Sequence, residues 1–161
     1  TLNPVWYLYQ SQSNPYVDKV ISSYRSRMNM RGIKRGRAVR GYLEALRAGK
    51  AVLVLADQDA GKAGASIPFL GLPSSTATGP ARFHEKTDAE LLFATCYRGE
   101  NRDLHIELKP LHLENEAEGI SDDNHVLHAY NRQLEENITR LPEQWFWMHR
   151  RWKTKPGLGK E

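Results

Sequence analysis

Two aspartates, Asp57 and Asp59, stand two residues apart where the chain leaves its most apolar run, Ala51-Val-Leu-Val-Leu-Ala56. Carboxylates so placed could hold a metal ion, act as an acid–base pair or position a cationic group. They could equally cap a helix and order a turn. Just downstream, Gly61-Lys-Ala-Gly64 resembles a phosphate loop only faintly. It lacks the four-residue spacer and the Lys-Ser/Thr pair that gather amides and magnesium around a nucleotide. Arg25 and Arg27 form a second candidate pair. Two apart on a helix they diverge, unless the helix ends there and both side chains turn to one site. The densest signal is Pro142-Glu-Gln-Trp-Phe-Trp-Met-His-Arg-Arg-Trp-Lys-Thr-Lys-Pro156, which interleaves three tryptophans with His149, Arg150 and Arg151. That composition suits a water–lipid boundary, where amphipathic rings and cations sit at headgroup depth. It also suits stacking on single-stranded nucleic acid, or a closing helix that buries Trp145 and Trp147 in the core.

These residues need elements to hold them. Val5–Tyr9 reads as a short β-branched and aromatic strand. Ser13-Asn14-Pro15 supplies an N-cap and a first-turn proline for a helix over about Tyr16 to Met28, with Val17, Val20, Ile21 and Tyr24 as its apolar face. Arg31 to Arg37, with two glycines among four basic residues, reads as a loop. Val39, Leu43 and Leu46 mark a second helix, closed by Gly49. Ala51–Ala56 then reads as a strand covered on both faces, with Asp57 and Asp59 at its carboxyl end, where ligands of open α/β sheets bind. A loop over Pro68–Thr78 precedes a helix from Gly79 to about Lys86. Strands over Leu91–Tyr97 and Leu104–Leu108 follow, the second with clean period-2 alternation. Glu114 to Asp123 is an acidic surface loop. A helix over His125–Arg140 aligns Leu127, Tyr130, Leu134, Ile138 and Leu141, and Pro142 opens a last short helix carrying Trp145, Trp147 and His149. The order predicts an α/β fold, a mixed sheet flanked by helices.

Composition narrows the function. The 161 residues make one domain or part of one, and no stretch approaches the ~20 apolar residues of a membrane-spanning helix. A single cysteine, Cys96, excludes an intramolecular disulfide and argues against a zinc site built on cysteines. Net charge is only +4, but Lys19–Lys50 carries ten basic residues and one acid, while Glu85–Glu136 carries thirteen acids and five basic residues. A basic N-terminal region and a basic tail around an acidic middle fit a polyanionic surface on one side.

The run PEQWFWMHRRWKTKP closely resembles the C-terminal signature of the bacterial lipid A biosynthesis acyltransferases. The likeness continues in NP…YRSRMN at Asn14–Asn29, in GYLEALRAGKAVLVLADQDAG at Gly41–Gly61 and in PFLGLPSSTATGPARF at Pro68–Phe83. It is collinear over nearly the whole chain. It implies a fold like that of the glycerol-phosphate and lysophospholipid acyltransferases, here incomplete at the N-terminus, with residues 1–161 the C-terminal part of a single acyltransferase domain. It implies transfer of a fatty acyl chain from acyl carrier protein to a lipid A precursor, in lipopolysaccharide biosynthesis at the cytoplasmic face of the inner membrane of a Gram-negative bacterium. No further cofactor or metal is implied. By the same resemblance Arg25, Arg27, Asp57 and Asp59 are substrate-binding, the arginines on phosphates or acyl oxygens, with His149 and Arg150 beside them.

One feature of the family is missing. Its catalytic motif is His, four residues, then Asp or Glu, with the His as general base. Five residues after His84, His105, His112, His125, His128 and His149 stand Ala89, Pro110, Ala117, Tyr130, Gln133 and Thr154. The motif, like the family's N-terminal membrane segment, is expected upstream of Thr1, so the chain reads as a truncated or processed piece, inactive alone. A non-catalytic module for phosphorylated lipid or a membrane surface is the alternative. Nucleic acid is not expected as a partner, since the aromatic strand signature of an RNA-recognition motif and any metal knuckle are lacking. A sheet left without its first strands would expose an edge, and a homo-oligomer formed through that edge is expected.

Overall fold

A computed structural model describes residues 4–9, 11–34, 38–113 and 124–154. The elements are β1 (Val5–Tyr9), α1 (Pro15–Arg27), β2 (Met30–Lys34), α2 (Ala38–Arg47), β3 (Ala51–Leu53), β4 (Ala65–Phe69), β5 (Leu72–Thr76), α3 (Gly79–Thr87), β6 (Leu92–Arg98), β7 (Leu104–Pro110) and α4 (His125–Arg140). Short 3-10 turns cover Gly61–Ala63 and Pro142–Gln144. The α/β class stands, with parallel and antiparallel pairings in separate sheets. The chain divides into two compact units, Thr1–Leu55 with Glu85–Ala89, and Ala56–His84 with Glu90–Glu161.

In the first unit β1 is the central strand of a parallel sheet in the order β2-β1-β3. Asn14 caps α1, its Oδ1 accepting the Tyr16 N–H at 2.9 Å, and Pro15 follows in the first turn. Arg25 and Arg27 lie in the last turn, where cations complement the helix dipole. α2 ends as its sequence predicts, with Gly49 in the left-handed region at φ 67°. Its core face is Tyr42 and Ala45, and the Tyr42 hydroxyl donates to the Leu53 carbonyl at 2.9 Å. Burial raises that phenol above its ordinary range.

Three expectations are corrected here. The basic segment read as a loop is largely the strand β2, its register on β1 fixed from Val5↔Met30 to Tyr9↔Lys34; residues 35–37 lie outside the description. The strand read over Ala51–Ala56 ends at Leu53, and Leu55 is 83% exposed. Among the described residues β3 pairs with β1 alone, and it is not covered on both faces, since Ala51 is exposed and Val52 and Leu53 are only half-buried. The expected apolar face of α1 buries nothing fully, and Val17, Val20 and Tyr24 are exposed.

In the second unit α4 organises the core. Val126 and Leu127 pack with Ile67 and Ala81, and two turns later Leu134 and Ile138 pack with Phe69 and Phe93. Each such side chain taken from water contributes about 1.5–3 kcal/mol. The segment read as a loop over Pro68–Thr78 is instead mostly the hairpin β4–β5, turning at Leu70-Gly71 with positive φ at both. The acidic stretch from Glu114 lies outside the described residues as far as Asp123. After α4 only a 3-10 turn forms, not the expected last helix, and the aromatic segment continues as linked turns.

β6 and β7 form an antiparallel hairpin in the register Phe93↔Lys109 to Tyr97↔His105. Phe93 is committed to the α4 core, so Leu104, Ile106 and Leu108 point the other way and are exposed. On the Phe93 face the Tyr97 hydroxyl donates to Glu107 at 2.8 Å, and Arg140 of α4 reaches the same carboxylate at 3.2 Å. These two donors hold the Glu107 carboxyl below the usual carboxylate range. A lowered folded-state pKa contributes stability that is full above the unfolded value and is lost as pH falls through the folded one. Thermal melts from neutral to acid pH should therefore show Glu107→Gln less stable than the wild type at neutrality, with the gap closing on acidification. A gap independent of pH would remove the carboxylate from this role.

Candidate functional site

The residues singled out by sequence fall in both units. In the first, the helix does end at Arg27, yet the arginines are held on different rings. The Arg25 guanidinium lies 4.8 Å from the centroid of Tyr7, a β1 residue. Arg27 lies 5.8 Å from Tyr24, one turn back on its own helix. Arg25 is half-buried and Arg27 exposed, so Arg27 is the more accessible cation.

In the second unit the loop after Ala56 is fastened to β5 and to the aromatic segment. The Ser75 hydroxyl donates to the Gly61 carbonyl at 2.6 Å, and the Ala60 N–H donates to the Ser75 carbonyl at 3.1 Å. A Cβ on Gly64 would collide with the Ser75 hydroxyl and come within 2.9 Å of the Thr76 carbonyl. Only glycine allows that approach, which gives Gly64 a packing role in place of the phosphate-loop reading.

Asp59 is the hub of this arrangement. Its Oδ2 accepts the Thr154 hydroxyl at 2.9 Å and the Gly61 N–H at 3.1 Å, and its Oδ1 accepts the Thr154 N–H at 3.2 Å. Its own N–H donates to His149 Nε2 at 2.9 Å. Nε2 therefore carries no proton in this arrangement, and the neutral ring keeps its proton on Nδ1. The structure brings Asp59 and His149 together, and the carboxylate orders a turn and ties down residues 149–154. Asp57 acts through its charge, raising the Tyr130 phenol, whose shift is dominated by burial.

The sequence reading named Arg150 as substrate-binding, and it is exposed; its neighbour Arg151 is 1% exposed. The Arg151 guanidinium donates to the Ser75 carbonyl at 2.6 Å and to the Thr76 hydroxyl at 2.9 Å, and lies 5.0 Å from the Phe69 ring. Burial lowers its pKa, and the charges of Tyr130, Asp59 and Asp57 oppose that. Asn131 of α4 joins the network, donating to the Pro68 carbonyl at 2.9 Å and to Thr76 Oγ1 at 3.2 Å. Arg151 was named only as a member of the terminal aromatic–basic cluster, and Ser75, Thr76 and Asn131 were not singled out. One signal was available: Asn131 falls four residues after Leu127 on the apolar stripe of α4, and a polar residue in a core stripe needs partners.

Among the described residues no group of three or more His, Cys, Asp or Glu could hold a metal, and no helix is long and apolar enough to cross a membrane. Each unit offers one thing: the first an accessible guanidinium at Arg27 for an anionic ligand, the second a carboxylate-bearing loop fastened by Asp59 to residues 149–154.

The sequence profile of a family described as bacterial lipid A biosynthesis acyltransferase matches residues 4–154. A lipid A biosynthesis palmitoleoyltransferase of Escherichia coli (strain K12) is 33% identical over 156 residues, 95% of this chain and 49% of that protein. A lipid A biosynthesis acyltransferase of Shigella flexneri gives the same figures. A lipid A biosynthesis lauroyltransferase of E. coli K12 is 27% identical over 153 residues, 92% of this chain and 48% of that protein. The chain spans about half the length of the curated relatives it matches.

Proposed function

Because the chain belongs to the bacterial lipid A biosynthesis acyltransferase family, we propose that it supplies the acceptor-holding part of an enzyme that transfers a fatty acyl chain from acyl carrier protein to a lipid A precursor. The reaction serves lipopolysaccharide biosynthesis at the cytoplasmic face of the inner membrane. The observation that carries this reading is the family match over residues 4–154, which takes in every candidate residue named above.

Acyl transfer to a hydroxyl needs a general base, a held acceptor and stabilised oxyanion charge. The chain has no His-x4-acid sequence, and the second and third of these are the parts assigned to it. Arg27, exposed at the end of α1, meets phosphate or acyl oxygens, and Arg25 is held apart from it on Tyr7. In the second unit Asp57 is assigned to substrate binding, while Asp59 and His149 fix the loop that bears it. The same groups could retain a phosphorylated lipid without reacting, and the missing motif favours that second reading for the chain alone. The outer edges of β2 and β3 support pairing with a second copy.

The test is substitution in a full-length acyltransferase carrying this chain. Arg27→Ala or Asp57→Ala should lower activity roughly ten- to 150-fold, the equivalent of about 1.5–3 kcal/mol for a charge-assisted hydrogen bond. Thermal stability should stay unchanged, and Lys160→Ala should have almost no effect. A loss of activity explained wholly by a lower melting temperature would make Asp57 structural.

A further inference from the structure

Phe146, Trp147 and Met148 are consecutive, large and apolar, and they are 58, 51 and 86% exposed. Soluble surfaces seldom concentrate such side chains without a partner. The segment that bears them is held on both sides. Upstream, Trp145 packs on Phe69 with ring centroids 6.2 Å apart. Downstream, His149 is held by the Asp59 N–H and Arg151 is buried on β5. Trp152 closes the fastening, its ring 5.7 Å from Phe69 and its indole N–H donating to the Phe69 carbonyl at 3.3 Å. Phe69 leads into the β4–β5 turn, where Leu70 and Leu72 are exposed as well.

The Trp147 indole N–H donates to the Pro142 carbonyl at 2.6 Å. Its one polar group is thus satisfied by the protein, which removes most of the cost of taking the ring out of water. Arg150 and Lys153, both exposed, follow immediately. Aromatic and aliphatic side chains flanked by cations match a bilayer with anionic headgroups, apolar groups entering the acyl boundary and cations staying among the phosphates.

We propose that the Phe146-Trp147-Met148 turn is a rigid docking tip that seats this chain on an anionic lipid bilayer, with Arg150 and Lys153 on the headgroup phosphates. This deepens the membrane location proposed above and rests on it. It requires no acyl transfer.

Sedimentation of the 161-residue chain with phosphatidylglycerol/phosphatidylethanolamine vesicles, and with phosphatidylcholine vesicles, tests it. The wild type should bind the anionic vesicles, less tightly as salt rises. The triple variant Phe146→Ser, Trp147→Ser, Met148→Ser should lose at least about tenfold in partitioning. Arg150→Glu with Lys153→Glu should lose the preference for anionic lipid, by roughly fivefold for each cation removed. Both should keep the wild-type circular dichroism. A second measurement stands if the triple variant fails to fold: brominated acyl chains should quench the wild-type tryptophan emission, and Trp147→Phe should bind but lose most of that quenching. Failure of the wild type to bind either vesicle would overturn the tip and with it any membrane seat on this chain. Undiminished binding by the triple variant, or undiminished quenching in Trp147→Phe, would overturn the tip alone and place the contact on another apolar face.

Discussion

Given acyl–acyl carrier protein and a lipid A precursor, the 161-residue chain by itself should transfer no measurable acyl group. A positioned general base contributes about 10²- to 10⁴-fold, and the chain offers none in the His-x4-acid pattern expected from the resemblance. None of the six histidines has an acid five residues on. His149, which touches the candidate loop, already spends its ring nitrogen Nε2 on the Asp59 N–H. Serving as base would require breaking that bond and turning the ring within a segment that Thr154 and Arg151 still hold in place. His105 is no better placed: it sits in the β6–β7 hairpin, paired with Asp103 at 2.6 Å and stacked on Tyr97. Transfer from radiolabelled acyl–acyl carrier protein, resolved by chromatography of the lipid, measures the outcome. Turnover comparable to a full-length relative would refute the prediction, and His149→Gln would then show whether His149 had taken over. Adding the rest of a full-length protein should restore activity if this chain supplies the acceptor site.

What the sequence made legible is local chemistry. Asn14-Pro15 and Gly49 mark the helix ends because a side-chain cap, a fixed φ and a left-handed residue act within one turn. α4 declares itself by a stripe long enough to exceed any strand. What stayed hidden depended on neighbours distant in sequence. Arg31–Lys34 becomes a strand because β1 offers it a parallel partner, which overrides the loop character of its glycine and charges. The alternation of Leu104, Ile106 and Leu108 correctly marks a strand but cannot say which face is buried; the commitment of Phe93 to α4 decides it. Val54 and Leu55 look like strand interior, yet β3 stops at Leu53, where the Tyr42 hydroxyl takes its carbonyl. At the candidate site, two adjacent arginines of identical chemistry part company only in three dimensions, one into solvent and one beneath β5.

Arg151→Ala should therefore destabilise the protein by about 3 kcal/mol, while Arg150→Ala should stay within about 0.5 kcal/mol. The first substitution removes two short hydrogen bonds from a buried cation and leaves a void over Phe69. It also withdraws the positive charge that offsets Asp57 and Asp59. Two facts keep the loss below the largest values for buried ion pairs. The Ser75 carbonyl retains the Ala60 N–H and Thr76 Oγ1 retains Asn131, so neither acceptor is stranded. Arg151 Nε is itself buried without a hydrogen-bond partner, and its removal lifts that penalty. Arg151→Met separates packing from charge, since it refills the space over Phe69 and buries no cation. A cost for Met well below that for Ala assigns the site's stability to packing; equal costs assign it to the guanidinium and its hydrogen bonds to Ser75 and Thr76. Urea unfolding of the three variants measures these differences. Equal losses at positions 150 and 151 would mean that the inward guanidinium is not what fastens the aromatic segment to β5, and the rigidity claimed for the Asp59 loop would fall with it.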